Sequence, residues 1–229
     1  MKLSILMPVY NEEERIAEAL KQALAVNYPC EIELVVVNDG SRDRTGAILD
    51  GAADDARLRV ITHPRNAGKG AAIKTAVDSA EGDYMVILDA DLEYDPMDIP
   101  KLLDPVLDGR AKVVYGNRTF GSHSAYSFWY VMGNKAVTTA ANVLFNSYIG
   151  DLETCFKLLP VSLYRSLEIK SKGFGMEAEV TGKLLRRKIR PYEVPISYRA
   201  RGREEGKKIT WKDGVEALWI LGRERARKR

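Results

Sequence analysis

Four short apolar, β-branched runs alternate with helical patterns in the first 95 residues, and this alternation constrains the fold more than any other feature. The runs lie at residues 2–9, 32–38, 58–62 and 84–88. Between them, apolar residues recur at helical spacing, so a helix is expected to return the chain to the start of each next strand. The pattern predicts a parallel α/β sheet with helices on both faces.

Each predicted strand ends in polar residues or in a glycine turn. These strand-end segments are Pro8-Val-Tyr-Asn-Glu12, Asn38-Asp-Gly40, Asn66-Ala-Gly-Lys-Gly70 and Asp89-Ala-Asp91. Parallel strands present their C-terminal ends at one edge, and open α/β sheets bind ligands at that edge. We therefore expect the four segments to lie together at one site.

Three carboxylates follow the fourth run at alternate positions, namely Asp89, Asp91 and Glu93. Carboxylates crowded together without basic neighbours repel one another, so a cation is expected to join them. A divalent metal that carries a phosphorylated ligand suits such a set. The alternative is an ordinary acidic turn, exposed to solvent, that leads into Asp95-Pro96.

The other strand ends carry groups that suit a nucleotide diphosphate. Tyr10 offers a ring for stacking on a base, and Glu12 and Asp39 offer acceptors for base N–H groups or ribose hydroxyls. Lys69 begins a predicted helix beside Gly68, where its charge and the helix N-terminus both favour an anion. The Walker pattern Gly-x-x-x-x-Gly-Lys-Ser/Thr is absent. Together the four strand ends predict a nucleotide-diphosphate site.

Composition places the chain among globular proteins and excludes several other classes. A chain of 229 residues with 45% apolar and 29% charged residues suits one α/β domain. Two distant cysteines argue against a disulfide framework and for a reducing compartment. We find neither a signal-peptide pattern nor an apolar run of the ~18–20 residues that span a bilayer, and we expect a cytoplasmic protein. Mixed surface charge argues against a nucleic-acid partner.

The second part of the chain predicts a different succession of elements. We expect a helix at about 98–107, a strand at 112–116, a long apolar helix over 125–148, a strand after residue 157, a helix near 175–187, a strand at 192–198 and a basic helix at about 211–225. Arg118 follows the first of these strands, and Asp151 precedes the second.

The strand-end motifs resemble those of the inverting family 2 glycosyltransferases of GT-A fold. The motifs are Pro8-Val-Tyr-Asn-Glu12, Val37-Asn-Asp-Gly-Ser41, Asn66-Ala-Gly-Lys-Gly70 and Leu88-Asp-Ala-Asp91. Within the family they resemble the polyprenyl-phosphate branch, which includes the dolichol-phosphate mannose and glucose synthases. The resemblance implies a Rossmann-like, mostly parallel central sheet flanked by helices, with an acceptor-side subregion in the C-terminal part.

The resemblance also implies how the chain is divided. A GT-A domain is expected over residues 1–210, with a nucleotide-sugar half at 1–95 and an acceptor half at 96–210. A basic amphipathic helix would follow at 211–229. The reaction implied is attack by a phosphate acceptor on the anomeric carbon of a nucleotide sugar.

On the donor side, the resemblance makes Asp89, Asp91 and Glu93 the ligands of Mg²⁺ or Mn²⁺. The residues implied to bind the nucleotide sugar are Pro8, Tyr10, Glu12, Asp39, Gly68, Lys69, Asp89, Ala90 and Arg201. Arg201 lies in the basic segment 199–208, which resembles the family's loop that closes over the donor diphosphate. A charge run exposed to solvent is the alternative for that segment.

On the acceptor side, Arg118 resembles the residue that grips the acceptor phosphate. Lys135 matches a second basic residue on the following helix, and Asp151 occupies the position of the general base. Because a phosphate acceptor is already ionised near pH 7, positioning of the acceptor or the sugar is the alternative role for Asp151. Asp151, Asp91 and Arg118 are therefore the predicted catalytic residues.

We predict a metal-dependent, inverting transfer of a single hexose from GDP-mannose or UDP-glucose to a polyprenyl-phosphate lipid. Single transfer is expected because the Gln-x-x-Arg-Trp motif of processive relatives is absent. A sugar or small-molecule acceptor on the same fold is one alternative, and a non-catalytic nucleotide-sugar-binding protein is another. The sequence specifies no oligomeric state.

Two segments are expected to contact a membrane surface or another protein, namely residues 125–148 and 211–229. A basic helix with tryptophans suits an anionic bilayer surface, which would make the chain peripheral on the inner face of the cell membrane. A helix that packs onto the core is the alternative. His63 and His123 are expected to be unpaired, in structural or exposed positions.

Overall fold

The computed structural model describes residues 1–52, 54–119, 121, 127–173, 175–200 and 211–227. The strands in these residues are β1 (Lys2–Val9), β2 (Glu31–Asn38), β3 (Leu58–Thr62), β4 (Tyr84–Ile87), β5 (Val114–Asn117), β6 (Lys157–Pro160) and β7 (Tyr192–Pro195). The helices are α1 (Ile16–Ala25), α2 (Thr45–Gly51), α3 (Lys69–Ser79), α4 (Ile99–Leu107), α5 (Phe128–Phe145), α6 (Val161–Leu167), α7 (Met176–Arg186) and α8 (Trp211–Ala226). A 3-10 turn at Pro96–Asp98 precedes α4.

The strands form one mixed sheet in the order β3-β2-β1-β4-β6-β5-β7. β1 pairs in parallel with β2 and β4, and β2 pairs in parallel with β3. β6 runs antiparallel to both β4 and β5, whereas β7 is parallel to β5. The predicted fold class is therefore confirmed as an α/β protein with a mostly parallel sheet.

The antiparallel direction of β6 matters for the site. Met85 of β4 pairs with Leu159, so β6 begins near the C-terminal end of β4. The segment before β6, residues 151–156, consequently lies at the edge where the parallel strands end. β5 delivers Arg118 to the same edge, because β5 and β4 point the same way on either side of β6.

Apolar layers cover both faces of the sheet, which explains the nearly continuous apolar runs in its strands. Alternate residues of β1 contribute to opposite layers, with Leu3, Ile5 and Met7 in one and Leu6 in the other. All four are fully buried. Burial of each such side chain contributes roughly 1.5–3 kcal/mol relative to exposure.

The structure differs from the predicted elements mainly at their ends. β7 ends at Pro195 instead of continuing to 198. Proline lacks the N–H that a ladder needs, so Pro195 is a natural end for the strand. The short helix α6 was not predicted at all.

The last helix packs onto the core with one face and exposes the other. Ala217, Ile220 and Leu221 of α8 are buried in a cluster with residues of α5 and α7. Trp211 and Trp219 remain 76% and 62% exposed. In the described part of the chain, we find no helix that combines the length and the apolar character required to cross a membrane.

Candidate active site

The acidic segment after β4 is a tight turn at the sheet edge. β4 ends at Ile87, and Leu92 adopts a left-handed backbone conformation with φ of 62°. Oδ1 of Asp91 accepts a hydrogen bond of 3.0 Å from the backbone N–H of Glu93. This bond closes an Asx turn and orients the Asp91 side chain.

Asp89 lies against the N-terminus of α3. Lys69 Nζ is 2.9 Å from Oδ2 of Asp89 and 3.0 Å from Oε1 of Glu177. Cys155 Sγ donates to the same Asp89 oxygen at 2.7 Å and accepts from Lys69 Nζ at 3.2 Å. One lysine at the start of α3 thus contacts the end of β4, the segment before β6 and α7.

The charges of this cluster keep Lys69 protonated. Burial acts to lower the pKa of Lys69, but the charges of Asp89 and Glu177 outweigh burial and raise this pKa well above its ordinary value. Burial, followed by the charge of Asp89, raises the pKa of the Cys155 thiol well above its usual range. The thiol is therefore a neutral donor to Asp89.

Glu93 contacts the segment that follows β7. Its Oε2 accepts a hydrogen bond from the Tyr198 hydroxyl, and its carbonyl oxygen accepts from Arg199 N at 2.9 Å. Throughout the described ranges, no three His, Cys, Asp or Glu side chains form a group that could hold a metal ion. The three predicted metal ligands are not brought together as one set.

The donor chemistry still fits a metal held by fewer protein ligands. Asp89 and Asp91 offer hard carboxylate oxygens at the sheet edge, and both side chains are only partly buried. Mg²⁺ commonly uses one or two carboxylates and completes its coordination with water and substrate phosphates. A two-carboxylate site agrees with the turn, and a three-carboxylate site does not.

Asp39 anchors the glycine-rich turn that precedes α3. Its carboxylate accepts hydrogen bonds from the backbone N–H groups of Ala67 and Gly68, at distances of 2.8 to 3.1 Å. His63 Nδ1 lies 2.7 Å from the same carboxylate, and His63 Nε2 lies 2.9 Å from Thr75 Oγ1. The prediction that His63 is unpaired is wrong, and His123 lies outside the described residues.

The glycines of this turn are required by close approach to another backbone segment. Gly68 has φ of +96°, and a Cβ on it would lie 2.5 Å from the carbonyl oxygen of Lys172. Gly70 N donates to that oxygen at 2.8 Å, and a Cβ on Gly70 would overlap the Ser171 carbonyl oxygen. Only glycine fits these positions without displacing the 171–172 backbone.

The remaining predicted donor residues also lie at this edge. Pro8 sits at the end of β1 beside Val37 of β2, and Tyr10 follows it with a half-buried side chain. Glu12 accepts from Arg15 at 3.3 Å, and its backbone N–H donates to Thr45. Ala90 is buried within the acidic turn.

On the acceptor side, Arg118 and Asp151 form a two-point ion pair. Arg118 Nε and Nη2 donate to Oδ2 and Oδ1 of Asp151 at 2.6 and 2.8 Å. Asn134 Nδ2 adds a third side-chain hydrogen bond to Asp151 at 3.0 Å. Such a fork fixes the guanidinium more rigidly than a single contact could.

The ion pair keeps Asp151 in its charged form. Burial acts to raise the pKa of Asp151, but the charge and hydrogen bonds of Arg118 outweigh burial and lower this pKa below its ordinary value. Both carboxylate oxygens already accept hydrogen bonds. Asp151 therefore holds the Arg118 guanidinium in place, and its role as a base or as a positioning group stays a prediction.

Two tyrosines connect this ion pair to the acidic turn. The guanidinium carbon of Arg118 lies 4.9 Å from the ring centre of Tyr198 and 5.9 Å from that of Tyr94. The hydroxyl of Tyr198 binds Glu93 on its other side. One aromatic residue thus separates the cation from the acidic turn.

Two predicted cations are not placed in this cluster. Lys135 is exposed on α5, whereas its neighbour Asn134 reaches Asp151. Arg201 lies outside the described residues. Asn134 was missed by the sequence reasoning, because successive helix residues differ by about 100° in direction and only the helix register could identify it.

Glu153 and Lys157 are ionisable residues close to the charges of the site, and both were also missed. Glu153 Oε1 and Glu177 Oε2 are buried and have no hydrogen-bond partner among the residues described. Burial and then the charge of Glu177 raise the pKa of Glu153 to about 7. Lys157 is fully buried and donates to the carbonyl oxygens of Leu152 and Thr154. These residues lie on both sides of Cys155 in sequence.

The family described as Glycosyl transferase family 2 matches residues 4–167. The chain belongs to this family. The match includes β1 to β6 and therefore both sides of the candidate site.

Several curated proteins are similar in sequence to this family 2 member. An undecaprenyl-phosphate 4-deoxy-4-formamido-L-arabinose transferase of Pseudomonas aeruginosa is 34% identical over 64% of this chain and 44% of its own length. The hexosyltransferase Agl6 of Haloferax volcanii, named for low-salt glycan biosynthesis, is 30% identical over 87% of this chain and 48% of its own length. A dolichol-phosphate mannosyltransferase of Pyrococcus furiosus is 28% identical over 90% of this chain and 59% of its own length. The chain thus spans about half the length of these relatives.

Solved structures of low sequence identity share the fold. Glucosyl-3-phosphoglycerate synthase of Mycobacterium tuberculosis, in complex with Mn²⁺, UDP and glucosyl-3-phosphoglycerate, superposes with a TM-score of 0.74 at 19% identity, covering 97% of this chain and 79% of its own. TarS of Staphylococcus aureus, in complex with UDP-GlcNAc, superposes with a TM-score of 0.67 at 18% identity. The superposition covers 98% of this chain and 66% of the TarS chain. These neighbours identify the fold as GT-A.

Proposed function

We propose that this family 2 glycosyltransferase transfers one hexose, with inversion, from a nucleotide sugar to a polyprenyl phosphate. The observation that carries the proposal is the fixed Arg118 guanidinium, held by Asp151 and separated from the acidic turn by Tyr198. A rigid cation close to a metal-binding turn suits an anionic acceptor that must approach the donor without being repelled by its carboxylates.

The donor is proposed to bind at the edge formed by β1, β2, β3 and β4. Asp91 and Asp89 are the proposed ligands of Mg²⁺ or Mn²⁺, which when bound would neutralise the leaving nucleoside diphosphate as a Lewis acid. Tyr10, Glu12 and Asp39 would bind the base and ribose. The helix N-terminus at Lys69 would favour the diphosphate.

The state of Asp151 favours a phosphate acceptor over a hydroxyl acceptor. A sugar hydroxyl must lose a proton as it attacks, so it needs a base with a free oxygen. Both oxygens of Asp151 are occupied by Arg118, and one of them also by Asn134. A phosphate is already ionised near neutral pH and requires no such base. Lys135 stays a predicted contact of the acceptor phosphate, and Arg201 stays a predicted contact of the nucleotide sugar.

The names of the relatives support a lipid-phosphate acceptor. Undecaprenyl phosphate and dolichol phosphate appear in the names of two of them, and hexosyl transfer in the name of a third. We propose GDP-mannose and UDP-glucose as the donors to test first. Contact with the membrane is proposed through exposed aromatic side chains at the starts of α5 and α8, such as Trp129 at 79% exposure and Trp211 at 76%.

An acceptor comparison tests this proposal. Purified protein with Mn²⁺ and each labelled donor would be offered a polyprenyl phosphate, 3-phosphoglycerate or a free hexose, and each labelled product would be quantified. We expect the lipid phosphate to be the preferred acceptor. Preferential labelling of 3-phosphoglycerate would retain the role of Arg118 but overturn the lipid acceptor, and labelling of the free hexose would overturn both.

A further inference from the structure

A basic cavity lies between the C-terminal ends of α5, α7 and α8. Its volume is about 600 Å³, within the usual range for small-molecule sites. The cations that line it are Arg186, Lys188, Arg190, Arg225 and Arg227. We propose that this cavity binds an organic phosphate, and that it is separate from the site of sugar transfer.

The charge of the lining is entirely positive. Five of the lining residues are lysine or arginine, and none is acidic. The buried carboxylate of Glu224 pairs with Arg186 at 3.3 Å and with Arg227 at 3.0 Å. Within the described residues, the side chains of Lys188 and Arg225 have neither a hydrogen-bond nor an ion-pair partner. Two cations therefore remain for a ligand.

An unpartnered hydroxyl gives independent support. Ser147 Oγ is buried, lines the cavity and has no hydrogen-bond partner among the residues described. A buried hydroxyl without a partner is costly, and a phosphate oxygen would accept a hydrogen bond from it. The neighbouring loop is held in place because Arg190 Nη2 donates to the carbonyl oxygen of Asn146 at 3.2 Å.

Stabilisation of helix ends does not account for this arrangement. Cations near helix C-termini interact favourably with the helix dipole, and a few of these side chains could serve that purpose alone. Lys188, however, occupies a left-handed position with φ of 61°, where glycine or asparagine would cost less strain. Neither the lysine at this position nor the buried hydroxyl of Ser147 is needed to end a helix.

The size and the apolar wall indicate the kind of ligand. Inorganic phosphate alone would fill a small part of 600 Å³. Leu144, Phe145 and Leu185 offer an apolar wall beside the cations. The shared chemistry is a phosphate ester with an organic part, which either a lipid headgroup or a soluble phosphorylated metabolite would provide.

The cavity is distant from the candidate active site. Asn134 contacts Asp151 from the N-terminal half of α5, whereas the cavity begins at Phe145 at the end of that helix. Eleven residues of helix place these two points about 16 Å apart along its axis. The inference therefore stands independently of the proposed sugar transfer.

Titration calorimetry on the whole chain tests the cavity with two probes, glycerol 3-phosphate and short-chain dihexanoyl phosphatidic acid. Lys188→Asn removes a cation while suiting the left-handed backbone, and Ser147→Ala removes the hydroxyl. Lys21→Gln, on the exposed face of α1, is the charge-matched control. Thermal unfolding would establish that each variant is folded.

We expect binding of at least one probe, weakened about tenfold by Lys188→Asn and less by Ser147→Ala, with Lys21→Gln unchanged. Much tighter binding of the phosphatidic acid would identify a lipid headgroup as the source. Equal binding of both probes would identify a soluble phosphate ester. Absence of binding up to about 1 mM, or equal weakening by Lys21→Gln, would overturn the proposal.

Discussion

Arg118 and Asp151 hold each other through two parallel hydrogen bonds, of 2.6 and 2.8 Å, at the ends of segments that are 33 residues apart in sequence. The pair is nearly buried, with side-chain exposures of 16% and 1%. A guanidinium held in this way presents one fixed direction to an incoming anion. The acceptor half of the proposed mechanism depends on that rigidity.

Replacement of Arg118 by lysine should impair acceptor binding selectively. Lysine keeps the charge but loses the planar fork and the stacking on Tyr198. We expect the KM for polyprenyl phosphate to rise at least about tenfold, while the KM for the nucleotide sugar changes less than about twofold. Steady-state kinetics with each substrate varied would measure both.

Arg110→Lys is the matched control, because Arg110 also binds an aspartate through two nitrogens but lies on the surface. It should leave both constants unchanged. An equal rise of the donor KM in Arg118→Lys would contradict the assignment of Arg118 to the acceptor.

Gly70→Ala should destabilise the donor side of the site. The new methyl group would overlap the Ser171 carbonyl oxygen and lie 3.0 Å from the carbonyl carbon of Lys172. We expect the free energy of unfolding to fall by about 1–3 kcal/mol, as for other overpacked sites, and nucleotide binding to weaken. Urea unfolding and UDP or GDP titration would measure the two effects.

Gly222→Ala provides the control, since Gly222 also lies in a helix and a Cβ there meets nothing within 4 Å. Alanine at this position should raise the free energy of unfolding by about 0.5–1 kcal/mol. Equal stability of Gly70→Ala and the wild-type chain would show that the 171–172 backbone can move away.

Glu153 should make stability depend on pH. The pKa of Glu153 is raised from 4.5 to about 7 in the folded state, so the folded chain binds the proton more tightly than the unfolded chain does. Stability contributed by the protonated form is therefore present below pH 4.5 and is lost as the pH rises through about 7.

Glu153→Gln removes this loss, because glutamine stays neutral at every pH. At about 1.4 kcal/mol for each pH unit between the two pKa values, the variant should exceed the wild-type free energy of unfolding by about 3 kcal/mol at pH 8. At pH 5 the difference should be below about 1 kcal/mol. Urea midpoints at the two pH values would show this, and the exposed Glu14→Gln should show no such difference. A gain that is independent of pH would contradict the assignment.

The alternation of strands and helices was sufficient to predict the sheet and the edge at which the site lies. The order of polar residues at the ends of β1 to β4 follows directly from the strand pattern, so Asp39, Lys69, Asp89 and Asp91 were placed correctly at that edge. The reason is that parallel strands all end at the same edge of the sheet, so the residues that follow them must lie at that edge.

The partners of these side chains could not be predicted in the same way. Glu93 binds Tyr198, which is 105 residues away, and Lys69 binds Asp89, Cys155 and Glu177. The contacts with Cys155 depend on the position of β6, which lies antiparallel between β4 and β5. No local sequence pattern predicts that position or direction. His63 was misjudged because its partners, Asp39 and Thr75, lie on other elements, although its position directly after β3 was a usable signal.

The central claim is that Asp91 acts on a nucleotide-sugar donor while a lipid phosphate accepts the sugar. It is tested most directly by the amount of labelled hexose that enters the lipid phase with polyprenyl phosphate and Mn²⁺. We predict transfer by the wild-type chain and by the control Asp54→Ala, whose side chain is exposed, and a loss of at least about 100-fold in Asp91→Ala. Undiminished lipid-phase transfer by Asp91→Ala would contradict the account.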